Sequence, residues 1–75
     1  MNIENNKKKI LQLFKDRGVE ANEFYPLSEF MRATGIPGDR TYVAAVEELQ
    51  EAGLLEECLN AMQLTEKGAE AIEKL

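Results

Sequence analysis

Apolar residues recur at helical spacing in four stretches of this chain and alternate with polar ones in a fifth. The first stretch is about 5–17, where Ile10, Leu13 and Phe14 fall at i, i+3 and i+4 and Leu11 widens the stripe. Asn5 or Asn6 can cap its start, and Gly18 suits the residue just past its end. Lys7, Lys8 and Lys9 then fall in its first turn, against the helix dipole, at a cost of about a few tenths of a kcal/mol each that packing can override. Residues 19–27 follow, with Pro26 pushing Tyr25 toward extended geometry, so a short strand or extended lead-in is expected. Ser28 is the expected cap of a second helix over about 28–34, with Phe30 and Met31 facing inward and Gly35 ending it. Ile36-Pro37-Gly38 reads as a tight connector.

The third helix, about 40–52, has Asp39 as its cap and Gly53 just beyond its end, with Leu54-Leu55 as the hydrophobic anchor. Its buried stripe reads as Tyr42 or Val43, then Val46 and Leu49. Arg40, Thr41, Ala44, Ala45, Glu48 and Glu51 fall on the exposed side. Next come two strands near 55–58 and 62–65, joined by a turn around Asn60. A two-residue loop would put Leu55, Glu57, Leu59, Met62 and Leu64 on one face. A three-residue loop would pair Cys58 with Met62 and Glu56 with Leu64. Thr65 then caps a last helix over about 66–75, with Ala69, Ile72 and Leu75 facing inward.

Helix, extended piece, helix, tight turn, helix, hairpin, helix is a mostly α order with one small β-hairpin. Pro26-Leu27-Ser28 with Phe30-Met31 and Thr34-Gly35-Ile36 resembles the second helix and turn of a helix-turn-helix unit. Thr41 to Val46 followed by Glu48-Leu49-Gln50-Glu51-Ala52-Gly53-Leu54-Leu55 resembles a recognition helix closing on a first wing strand. Leu64-Thr65-Glu66-Lys67-Gly68 is similar to the motif that opens the final helix of winged-helix regulators, including the MarR and PadR types. Together these resemble the winged helix-turn-helix superfamily over about 7–72. The resemblance implies a single winged-helix domain over 1–75 acting as a DNA-binding transcriptional regulator, with the third helix as recognition helix.

Composition narrows this picture. Seventy-five residues make one domain, and 44% hydrophobic with 31% charged residues describes a folded chain. The longest stretch without a charge is the eight residues 58–65, too short to span a membrane, and no secretory-leader pattern follows the lysines. A single Cys cannot form an internal disulfide, so the expected compartment is the cytoplasm. The net charge of −5 is divided: residues 1–18 carry five bases and two acids, residues 19–75 four bases and twelve acids. A basic end can therefore meet an anion that the remainder repels.

For DNA, the candidate residues are Arg40, Thr41 and Tyr42 at the start of the third helix, with Arg32 and Lys7, Lys8 and Lys9 on phosphate. Against this, Glu47, Glu48 and Glu51 lie on that helix, and Leu59-Asn60-Ala61 at the hairpin tip offers no base to a minor groove. The alternative is a winged helix that binds protein through its acidic third helix or its short apolar hairpin, where Leu59 and Met62 form a sticky tip or else pack inward. Cys58 reads as a half-buried strand residue rather than a redox sensor, since Glu56 and Glu57 disfavour its thiolate. No His is present, no zinc-ligand spacing or phosphate loop occurs, and the acid pairs Glu47/Glu48 and Glu56/Glu57 do not converge, so neither an enzyme, a cofactor nor a metal site is expected. A small core also favours a homodimer through the C-terminal helix.

Overall fold

The computed structural model describes residues 3–75. Its order is α1 (Ile3–Arg17), β1 (Phe24–Pro26), α2 (Leu27–Thr34), α3 (Arg40–Glu51), β2 (Leu55–Cys58), β3 (Ala61–Leu64) and α4 (Glu66–Glu73). The strands form one antiparallel sheet in the order β1-β3-β2.

α1 begins two residues earlier than its apolar pattern indicates, with Glu4 in its first turn. Asn5 and Asn6 therefore lie inside the helix and do not cap it. Lys7, Lys8 and Lys9 move to the second turn, where the dipole penalty fades. Ile10, Leu11 and Phe14 are buried, while Leu13 is only half-buried. Gly18 ends the helix at φ 75°; its N–H donates to Lys15 O and that of Val19 to Phe14 O, both at 3.0 Å.

β1 leads directly into α2, and this displaces the expected cap. Pro26, locked at φ −55°, occupies the cap position with no side-chain hydrogen bond, and Ser28 lies exposed inside the helix. The N–H of Leu27 is satisfied instead by Asn60 O at 3.0 Å, across the hairpin turn. Gly35 closes α2 in the left-handed conformation at φ 80°.

α3 starts on Asp39 as its sequence indicates and gives way to Ala52 and Gly53, the latter at φ 80°. Its buried residues are Ala45, Val46 and Leu49, which corrects the placing of Ala45 on the exposed side. The reason is α1. Thr41 meets Asn6 and Glu48 meets Lys7, and Ala45 lies between them at i+4 and i−3, under the helix crossing. A small side chain there lets the two helices approach. Tyr42 and Val43 are both half-buried.

The hairpin takes the two-residue loop: Leu55 pairs with Leu64, Glu57 with Met62 and Cys58 with Ala61, with Asn60 at φ 60°. The three-residue register does not occur. Met62 and Leu64 are buried, but the inner row runs out of core toward the tip, so Glu57 stays exposed and Leu59 is 92% exposed. Thr65 caps α4 by accepting from Gly68 N at 2.9 Å, while its hydroxyl faces the carbonyls of Gly53 (2.7 Å) and Leu54 (2.9 Å). α4 stops at Glu73, so Leu75 falls outside it and is exposed, while Ile72 and Gly68 are buried and Ala69 is half-buried.

These elements close over a core whose largest fully buried side chains are Phe14, Phe30, Ile10, Leu49 and Leu64. Phe14, Tyr25 and Phe30 form an aromatic triad with centroids 5.1–5.8 Å apart. Arg17 lies over the Tyr25 ring and pairs with Glu29, which joins α1, β1 and α2 on their outer side. Among the described residues no helix is long and apolar enough to cross a membrane.

Candidate functional site

The residues expected to contact DNA do not share one environment. Arg40 is exposed on the first turn of α3, and Arg32 is exposed in the last turn of α2. Lys8 and Lys9 are exposed on α1. None of these four makes an ion pair among the described residues.

The other three are already engaged. The Thr41 hydroxyl donates to Asp39 Oδ1 at 2.6 Å and accepts from Asn6 Nδ2 at 2.8 Å. Tyr42 packs half-buried against the core. Lys7 Nζ lies 3.1 Å from Glu4 Oε2 and 3.3 Å from Glu48 Oε1, and the hydrogen bond to Glu4, then that to Glu48, raise its pKa. The α1–α3 crossing thus consumes one lysine and one hydroxyl of the expected surface.

Asp39 shows the electrostatics of the α3 start. Its carboxylate accepts from the Thr41 hydroxyl and, at 3.0 Å, from the Thr41 N–H. The hydroxyl bond first, and the backbone bonds with it, hold its pKa below the ordinary 3.8. A depressed carboxylate stabilises the fold above its unfolded pKa, and that contribution disappears as pH falls through the folded value. Asp39→Asn is therefore expected to flatten the urea-midpoint profile below about pH 4 relative to the parent. An unchanged acid limb in the variant would refute the assignment.

A feature that the sequence did not announce lies on the opposite side of α3. An open groove of about 400 Å³ runs between α2, α3 and the hairpin. α2 contributes Leu27, Phe30 and Met31, and α3 contributes Val43 and Val46. Ile36 and Met62 complete the apolar lining, and Gln50 Nε2 lies 3.9 Å from the Met62 sulfur. The charged lining residues are both acidic, Glu47 from α3 and Glu57 from β2. Phe30 with Met31 and Val43 with Val46 read in sequence as core-facing stripes, and only the meeting of the elements leaves Met31 and Val43 lining a groove.

The expected sticky tip divides. Met62 is buried at the groove's base, whereas Leu59 projects into solvent. Phe24 is another exposed large hydrophobic, at 53%, on the outer face of the sheet. Cys58 is half-buried, with its sulfur near Glu56 O and Gln63 Oε1. Among the described residues no three His, Cys, Asp or Glu side chains come together as a metal site would require. A second hollow, bounded by Val19, Leu64, Ala69 and Ile72, lies beside α4.

No protein-family profile, no curated protein and no solved structure matches the chain.

Proposed function

We propose that the chain is a winged-helix module of the cytoplasm that docks a protein partner in the groove between α2, α3 and the hairpin. The observation that carries this reading is the groove itself: an apolar trough with two carboxylates and no base in its lining. The element order is the one that the winged-helix resemblance implies. On that reading α3 is the recognition helix, and its outward side carries Val43, Glu47 and Glu51 where a phosphate backbone calls for bases.

A DNA-binding transcriptional regulator is the second reading, favoured by one observation. Arg40, Arg32, Lys8 and Lys9 are exposed and make no ion pair among the described residues, and Arg40 opens the helix that would enter a groove. A titration with a mixed-sequence duplex separates the two. Protein docking predicts weak binding at low salt that vanishes at physiological ionic strength, where screening extends over about 8 Å, and no change there on Arg40→Ala. Saturable binding that survives such salt and is lost in Arg40→Ala would replace the protein reading with the DNA one.

A further inference from the structure

We infer that the occupant of the groove is a short amphipathic α-helix whose apolar stripe is flanked by basic residues. This rests on the protein-docking reading and names the partner's chemistry.

The shape of the walls argues for a helix. Leu27, Phe30 and Met31 stand at i, i+3 and i+4 on α2, and Val43, Val46 and Gln50 at i, i+3 and i+7 on α3. Stripes of this spacing are the ridges that receive another helix. Two of these side chains, Phe30 and Val46, also belong to the core, so the groove continues the core outward.

The backbone argues in the same direction. The N–H groups of Leu27 and Val43 are bonded to Asn60 O and Asp39 O, and Met31 O accepts from Gly35 N. The other wall residues on α2 and α3 lie within helices, whose backbone groups pair internally. An extended segment laid along α2 and α3 finds no backbone partner on them, whereas a helix brings its hydrogen bonds with it; β2 is an edge strand, and the alternating peptide below tests pairing there.

Charge sets the flanks. Glu47 and Glu57 enter the lining from different elements, and neither is ion-paired among the described residues. Lys or Arg beside the partner's apolar stripe would meet both carboxylates, and acids there would be repelled.

Three synthetic peptides of about 15 residues test this. The first is an Ala/Leu/Lys helix with Leu at i, i+3, i+4 and i+7 and Lys alongside. The second carries Glu in place of Lys. The third alternates Leu and Lys for an extended conformation. Methyl NMR of Met31, Val43 and Met62 reports occupancy. The first peptide is expected to shift these methyls saturably. The double reversal Glu47→Lys with Glu57→Lys is expected to weaken it by about 10-fold or more and to strengthen the second peptide. An unchanged melting temperature shows that the double variant is folded.

Equal or better binding of the acidic or alternating peptide to the parent groove overturns the basic-helix inference while the docking reading stands. Concentration-dependent shifts of the same methyls without peptide assign the groove to a second copy of this chain and also overturn it. If no peptide moves them, the inference and the docking reading fall together.

Discussion

Replacing Phe14 with Ala is expected to remove most of the stability of this domain. Phe14 is fully buried, and its ring touches both Tyr25 and Phe30. Truncating a buried Phe typically costs about 3–5 kcal/mol, part of it lost transfer energy and part the cavity left behind. A chain of 75 residues has roughly 4–11 kcal/mol in total at the usual stability per residue. Relaxation is restricted because Phe14 contacts β1 and α2 at once, so no single element can move in to fill the void. Urea unfolding gives the loss directly. Leu59→Ala is the matched control: at 92% exposure it is expected to change stability by no more than about 0.5 kcal/mol. A loss below about 1 kcal/mol in Phe14→Ala would show that the aromatic triad is not the core's keystone.

The second large effect reverses a general rule. Gly in a helix interior is normally improved by Ala, by about 1 kcal/mol. Gly68→Ala in α4 is expected instead to destabilise by about 3 kcal/mol. A Cβ on Gly68 would overlap the carbonyl oxygen of Leu54 and stand 2.8 Å from Leu64 Cδ1. The obstacle is main chain, and it is anchored: Leu54 O accepts from Thr65 N at 3.1 Å and from the Thr65 hydroxyl. At about 4–8 °C per kcal/mol for a domain of this size, the melting temperature should fall by about 12–24 °C. Gly18→Ala provides the contrast, because nothing lies within 4 Å of a Cβ there and only the left-handed φ of 75° opposes it, at about 1–2 kcal/mol. A Gly68→Ala protein as stable as its parent would mean that α4 can lift off the hairpin base.

Local signals made most of the fold legible. Asp39, Gly35, Gly53 and Thr65 each act at a helix end through their own conformation or hydrogen bonds, and each stands where its residue type indicates. Two of the misplacements share one cause, a partner distant in sequence. Ser28 lost its cap role because β1 pairs with β3 and delivers Pro26 and Asn60 to the start of α2. Ala45 moved inside because α1 crosses α3 there. Leu75 moved out because α4 ends at Glu73.

The candidate site was less legible for the same reason. Arg40, Arg32, Lys8 and Lys9 are exposed as their chemistry indicates, yet Lys7 and Thr41 are taken up by residues 41 and 35 positions away along the chain. The groove depends on three elements meeting, and no periodicity within one of them encodes it. Charge is the part that sequence did convey. Of the acids on α3 that count against a DNA surface, Glu47 lines the trough, joined there by Glu57 of β2, while Glu48 pairs with Lys7.

The Thr65 side chain has a mechanical meaning. It ties the exit of α3, the end of β3 and the entrance of α4 at one point, through Gly53, Leu54 and Gly68. The hairpin is therefore braced at its base by a side chain as well as by backbone bonds. Two sides of the trough, Val43 on α3 and Met62 on β3, are thereby joined through one side chain at the base of the hairpin. On the docking reading proposed above, a wall braced in this way leaves the cost of ordering with the guest, so a peptide with its helix formed in advance is expected to bind more tightly.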